Sequence, residues 1–423
     1  MRAARTDGEP VASRLVARDR FGFAGRSHYD FEIRGAALAF PDVLEVTYGT
    51  VAEPIAAGRK QAAFSPEVGI DRDGDGTFEE IPVEPLRIRA GAPFSLHAVL
   101  DSHGRPDTPA KLVLYAEDRC GNVVDAYDER VEIEPSDGRA PSTYRMRPLK
   151  AEGPLDRNPT SLTFPDPGVH VVRARDPATG LEAVSNPIIV SGDRTGRRLF
   201  WGDLHVHTAI SDGEGSLEDV YRDAYARGHD FLAITDHGFG REATGSREER
   251  LDRVVETARR FTEAGGFVAI PAGETHFLAG THMNLYFDRL DAAHMERLLH
   301  RLGRADTRVR GWRKAPPGEF RRAAAEYWRA FEEEEFARFP LAFSHHTMWM
   351  GVKEYIRGER QRLIEIYSFH GSSETADLSK TPEALRGRMP QAAARPGPKY
   401  GVRDALGAGH RLGIVGGSDD HFG

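Results

Sequence analysis

From residue 199 to the end of the chain, short apolar runs alternate with amphipathic stretches, and most of the apolar runs close on a residue able to hold a metal ion. The runs at 199–206, 230–236, 267–273, 282–287, 340–344, 362–367 and 412–417 have the length and composition of strands. Segments 217–227, 247–264, 291–303 and 317–338 carry apolar residues at helical spacing among many Arg and Glu. Ser216 is placed to cap the first of these helices and Gly228 to stop it. Alternation of this kind predicts a parallel sheet with helices packed over it. Ligand residues at the C-terminal ends of seven strands favour a barrel, because loops at that end build the site.

His205 and His207 stand one residue apart on the first strand, so their side chains share a side. Asp212 follows shortly after. Later strand ends supply His237, Glu274, His282, His345, Asp419 and His421, with His346 as a further candidate. A single histidine at a strand end is more often structural than a ligand. A whole series at the strand ends of one domain is not a set of independent accidents. One catalytic zinc needs three protein ligands and a water, so this supply suits two or three clustered ions. Glu274 can bridge two of them through its two oxygens. Mixed His and carboxylate donors suit Zn, Mn or Fe rather than a Ca or Mg cage. Clustered ions of this kind lower the pKa of water, hold a substrate oxygen and stabilise a leaving group. No Ser or Cys nucleophile is then needed. Ser211, Ser344 and Ser418 read as turn residues or hydrogen-bonding neighbours of the ligands.

Composition narrows the alternatives. With 423 residues, two domains are expected. The net charge of -8 argues against a nucleic-acid surface or an anionic membrane surface. The single cysteine, Cys120, excludes an internal disulfide framework and a Cys-rich zinc site. The N-terminus lacks the apolar core of a secretory signal, and no run of about 18 apolar residues occurs, so a cytoplasmic protein without a membrane span is expected. Of 17 histidines, 4 precede residue 196 and 13 follow it, which separates two different jobs along the chain.

Residues 1–195 read as β-structure, with short apolar runs punctuated by Gly, Pro, Asp and Asn at the spacing of a β-sandwich. Examples are Val43–Tyr48, Phe94–Leu100, Lys111–Tyr115 and Val169–Ala174. Phe94, Leu96, Ala98 and Leu100 alternate as on a half-buried strand. The polar, glycine-containing stretch 190–198 is the natural boundary to 196–423. Asp71, Asp73 and Asp75 with Gly76 look like the start of a calcium loop. Pro82 stands where an EF-hand needs Glu, so a solvated Asp-Gly turn competes with calcium there.

In chain order, His205-Val206-His207, Ser211-Asp212-Gly213, Thr235-Asp236-His237, Gly273-Glu274, His282, Ser344-His345 and Ser418-Asp419-Asp420-His421 resemble the PHP (polymerase and histidinol phosphatase) superfamily over 199–423. That resemblance implies a distorted (β/α)7 barrel, preceded here by the sandwich-like domain, with a trinuclear metal site at its C-terminal face. It implies His205, His207, Glu274 and Asp419 around a first ion, Glu274, His282 and His345 around a second, and Asp212, His237 and His421 around a third. The opening Gly202-Asp203-Leu204-His205-Val206-His207-Thr208 is most similar to two branches of the superfamily, one of carbamate-hydrolysing enzymes and one largely uncharacterised. Many relatives carry Pro after the Ser-His pair where this chain has His346. A barrel of this kind normally ends in a helix over its last strand, and the chain stops at Gly423, so the domain is expected to lack that helix.

Two further residues are candidates for catalysis, Asp236 and His370. His370 opens the Gly371-Ser372-Ser373 turn after strand 362–367. It is a candidate general acid, and the turn a candidate oxyanion site. The competing reading is a tight polar loop capping the next helix. The expectation is a metal-dependent hydrolase of a small-molecule substrate, with a phosphoester favoured over a carbamate or carboxylic ester. A metal-binding module without turnover, and a truncated inactive fragment, are the alternatives from another class.

Overall fold

The computed structural model describes residues 13–17, 29–33, 62–64, 68–70, 79–81, 86–137, 142–150, 155–192, 199–237, 247–263, 266–277, 281–288, 291–306, 341–347, 361–377 and 400–421, with single positions at 325, 328, 329, 331, 356, 379 and 383. By contacts the chain divides into units 1–59 and 60–423. In the first, strands Ser13–Ala17 and Tyr29–Ile33 pair antiparallel. The predicted strand at 43–48, the Asp71, Asp73 and Asp75 turn and most of the predicted helix 317–338 lie outside the described residues. No helix among the described residues is long and apolar enough to cross a membrane.

Between 95 and 190 two antiparallel sheets share one apolar cluster. One sheet orders strands Asn158–Leu162, Ala110–Glu117 and Ser95–Leu100, and the other Ser142–Arg145, Arg130–Pro135, Val172–Arg175 and Glu182–Val184. Period-two patterning explains the burial. Val131 and Ile133 are buried while Glu132 and Glu134 face water. Leu96, Ala98 and Leu100 follow the expected alternation and join the shared cluster. Phe94 does not: it precedes the strand, is 52% exposed, and lies under the Arg119 guanidinium at 4.5 Å.

The strands of the C-terminal sheet are β1 (Gly202–Val206), β2 (Phe231–Ile234), β3 (Val268–Phe277), β4 (Thr281–Tyr286), β5 (Leu341–Ser344), β6 (Gln361–Ser368), β7 (Gly371–Ser372) and β8 (Gly413–Gly416). The helices are α1 (Leu217–Ala226), α2 (Arg247–Glu263), α3 (Ala292–Asp306) and α4 (Val402–Gly407). Ser216 caps α1 in a reciprocal box with Asp219, so the first turn satisfies its own amides. Val220, Tyr221 and Ala224 of α1 pack with Val254, Ala258 and Phe261 of α2 onto Val206, Leu232, Ile234 and Ala269 of the sheet.

The sheet is mixed rather than parallel. β1, β2 and β3 run parallel, and so do β5, β6 and β8, but β4 is antiparallel to both β3 and β5. The cause is local. Only residues 278–280 separate β3 from β4, and a parallel crossover needs about a dozen residues. A link that short makes a hairpin.

The sheet curls on itself. Tyr286 on β4 donates through its hydroxyl to the Leu204 carbonyl on β1 at 2.5 Å, although two strands lie between them in the sheet. Ala233, Ala272, Tyr286 and Phe343, from β2 to β5, cluster together. At the C-terminal rim the ends meet: Asp419 N–H donates to His205 O at 2.9 Å, and His207 N–H to Asp420 O at 2.8 Å. Among the described residues β1 and β8 share no longer ladder. The ring is therefore joined at the rim where the candidate ligands stand.

Candidate metal centre

β1 carries His205 and His207 to the rim, and both are fully buried. The chain then turns back so that Asp212 meets them. Gly213 makes this turn possible, since a Cβ there would lie 2.5 Å from the His207 carbonyl carbon and oxygen. Asp236 braces the same turn. Its carboxylate accepts from Thr208 N–H at 2.7 Å, Thr208 Oγ1 at 2.7 Å and Ser211 Oγ at 2.6 Å. Burial pushes the Asp236 carboxyl upward against those donors. Both oxygens of Asp236, the other expected catalytic candidate, are thus engaged in holding the ligand turn.

Four donor atoms converge beside β1. His205 Nε2 and His207 Nε2 are 3.3 Å apart. Glu274 Oε2 lies 3.4 and 3.3 Å from them, and Asp419 Oδ1 3.2 and 3.3 Å. Donor atoms about 2.0–2.1 Å from one zinc-like ion lie about 3.3–3.4 Å from their neighbours, the separation that His205 and His207 keep from each other and from each of the two carboxylate oxygens. The spacing therefore fits a divalent cation.

Glu274 faces a second set of donors with its other oxygen. Oε1 contacts His282 Nδ1, and His237 Nδ1 lies 3.1 Å away. His345 Nε2 is 3.3 Å from Oε2. Farther out, Asp212 contacts His237 Nε2 at 3.3 Å and His421 Nε2 at 3.5 Å. His205, His207, Asp212, His237, Glu274, His282, His345, Asp419 and His421 are thus brought into one continuous cluster, and within it subsets of three or four could hold an ion.

Electrostatics argue the same way. Both Glu274 oxygens, both His345 ring nitrogens and Asp419 Oδ2 are buried without a hydrogen bond of good geometry, a costly state unless something else satisfies them. Burial opposes charge on Glu274, yet His237, His345 and His282 hold it well below the usual carboxylate range. Burial likewise opposes charge on Asp419 and Asp212, yet the histidines around each keep both ionised. Burial works against a proton on His237 too, but Glu274 and Asp212 push it up to about 11. Burial drives His345 down to about 3, leaving a neutral imidazole with lone pairs to give. Two buried carboxylates beside the part-buried Asp212 call for positive charge, which protons on the histidines or metal cations can supply.

His370 also reaches the cluster. Gly371–Ser372 folds back as β7 on Tyr367 and Ser368 of β6, and just beyond it the Ser373 and Glu374 carbonyls accept from the first amides of α4, those of Val402 and Arg403. That hairpin sets His370 Nε2 3.1 Å from Asp419 Oδ2. Sequence reasoning missed Glu365. It is buried on β6, and its Oε2 lies 2.8 Å from His205 Nδ1. Its signal was a charged residue between Ile364 and Ile366, in the apolar middle of the strand, which needs a partner once buried.

A ring of buried imidazoles and carboxylates at the rim of a curled α/β sheet defines a divalent-metal protein. Residues 203–299 match the family model of the PHP domain, and this stretch holds His205, His207, Asp212, His237, Glu274 and His282. Over that stretch the chain is similar to the PHP domain. An uncharacterised protein of Chlamydia trachomatis is 22% identical over 352 residues, covering 83% of this chain and 52% of that protein. One from Chlamydia muridarum gives the same figures. The chain spans about half the length of the curated relatives it matches. Among solved structures, a two-domain protein from Bacteroides vulgatus containing a PHP-like metal-dependent phosphoesterase is similar at 17% identity, over 52% of each chain, with a TM-score of 0.30.

Proposed function

We propose that this protein is a metal-dependent hydrolase of a small-molecule substrate, working from a multinuclear centre at the rim of the sheet. The observation that carries this reading is the close approach of the Glu274 and Asp419 oxygens to both the His205 and the His207 Nε2, with the second oxygen of Glu274 turned to a further set of histidines. His205, His207, Glu274 and Asp419 would hold one ion, Glu274, His282 and His345 a second, and Asp212, His237 and His421 a third. Divalent ions there would supply an activated water and positive charge for a developing oxyanion. Zn, Mn and Fe suit these donors.

The chain's own residues have separable tasks. Glu365 orients the His205 ring through Nδ1, and Asp236 fixes the turn that delivers Asp212. His370, at the edge of the cluster with its Nε2 3.1 Å from Asp419 Oδ2, would give a proton to a departing oxygen. Residues 1–195 form the second domain in this reading.

A phosphoester is the favoured substrate class, on the strength of the superfamily, and carbamates and carboxylic esters are the runner-up on the same centre. Metal-loaded protein assayed on aryl phosphates, phosphodiesters and aryl carbamates separates them. Turnover of carbamates alone overturns the phosphoester preference. Stable metal binding with no turnover across a broad panel overturns the hydrolase and leaves a metal-binding module.

A further inference from the structure

His345 and His346 follow β5 directly, and neighbours on an extended strand point to opposite faces. Here they do not diverge. His346 takes φ +29°, in the left-handed region that a non-glycine residue enters at a cost of about 1 kcal/mol or more. The consequence is that both imidazoles are buried on the same side, at 0% and 4% exposure. Their ring centroids are 4.3 Å apart and perpendicular. The His282 ring lies 4.6 Å from His346 and 5.6 Å from His345. One nitrogen from each of His282, His345 and His346 falls within 4.8 Å of the other two. Glu274 reaches the same place through its contact with His282.

We propose that His346 is itself a metal ligand, and that His282, His345 and His346 present an all-imidazole face to one divalent cation of the zinc type. The proposal deepens the metal-centre reading above and rests on it. Three imidazoles beside one shared carboxylate favour zinc and other late first-row ions over manganese or magnesium, which prefer oxygen donors. The group around His205, with two carboxylates, is richer in oxygen. The centre is therefore uneven, with a position against β4 and β5 that is more zinc-selective than the one around His205.

The test is a zinc and manganese titration of the metal-depleted full chain, read by chelator competition, with zinc-edge X-ray absorption to count imidazoles. His346→Asn is the informative variant, because Asn tolerates the left-handed backbone but offers no imidazole. Its zinc affinity at the tightest position should fall about 100-fold, the upper end of what losing even an outer-shell partner costs. The imidazole count per zinc should fall, and manganese binding should change much less. Unchanged zinc affinity and imidazole count in folded His346→Asn overturn the proposal. If circular dichroism shows that His346→Asn does not fold, His346→Gly, which relaxes the same backbone, is titrated in its place by the same criteria. Wild-type protein that takes up no zinc at all would instead sink the underlying metal-centre reading.

Discussion

His205 Nδ1 lies 2.8 Å from Glu365 Oε2, in a pair sealed from solvent and drawn from residues 160 apart in the chain. With the hydrogen on Nδ1 and donated to Glu365, the Nε2 lone pair is left facing Glu274 and Asp419. A carboxylate behind a ligand imidazole fixes the ring and makes it a stronger donor. Glu365→Gln keeps an acceptor but removes the charge, and Glu365→Ala removes both. Metal affinity should fall about 10-fold in the first and toward 100-fold in the second, the range expected for outer-shell partners. Chelator competition measures this. Wild-type affinity in both folded variants would remove Glu365 from the site.

Gly417 stands behind the same pair. A Cβ at that position would run into Glu365 Oε2 and come within 2.8 Å of His205 Cβ. No rearrangement satisfies both neighbours, because each is buried. Gly417→Ala should therefore reproduce the metal-affinity loss of Glu365→Ala, although alanine has no polar group to remove. Combining the two substitutions should cost little more than either alone, since both break one contact. Additive losses would show that Gly417 acts by some other route.

Much of the C-terminal half was legible because strand and helix periods leave marks within a dozen residues. The strand positions around His205, Glu274 and His345 and the Ser216 cap are local features of this kind. The orientation of β4 was less plain, because the expected runs 267–273 and 282–287 leave 274–281 between them, and only the extension of β3 to Phe277 cuts the link to 278–280. What local pattern cannot carry is partner choice. Asp236 and His237 are adjacent and both polar, yet one braces Thr208 and Ser211 while the other faces Asp212 and Glu274. Glu365 gains its meaning only from a histidine on the first strand of the sheet. Phe94 continued an apolar alternation on paper but fell outside the strand that used it.

Glu274 and Asp419 both ring the His205 and His207 nitrogens, but only Glu274 also faces His237 and His282. Substitutions at the two should differ in stoichiometry. Asp419→Asn should lower metal content by about one equivalent, and Glu274→Gln by more than one, because it withdraws a donor from two groups at once. Elemental analysis of protein reconstituted under one set of conditions reads this directly. Equal losses would argue that Glu274 serves a single ion.

Asp176 offers a pH test remote from the metal centre. It is fully buried, and its carboxylate accepts from the Tyr127 hydroxyl, from Thr179 Oγ1 at 2.5 Å and from the Ala178 amide at 2.8 Å. Burial opposes its charge, but the donors from Thr179, Tyr127 and Ala178 outweigh burial and hold its pKa below the ordinary aspartate value. A depressed folded-state pKa means the charged form stabilises the fold. That contribution is complete above the unfolded pKa of about 3.9 and is lost as pH falls through the lower folded value. Asp176→Asn keeps the shape but loses the charge-assisted bonds, at about 1.5–3 kcal/mol for hydrogen bonds to a charged group. Urea unfolding at pH 7 should show that gap between wild type and variant, and at pH 3 the gap should narrow. Metal ligands protonate over the same range in both proteins, so the difference between the two isolates Asp176. A gap that is constant from pH 7 to pH 3 would mean that the carboxylate is not held ionised by these donors.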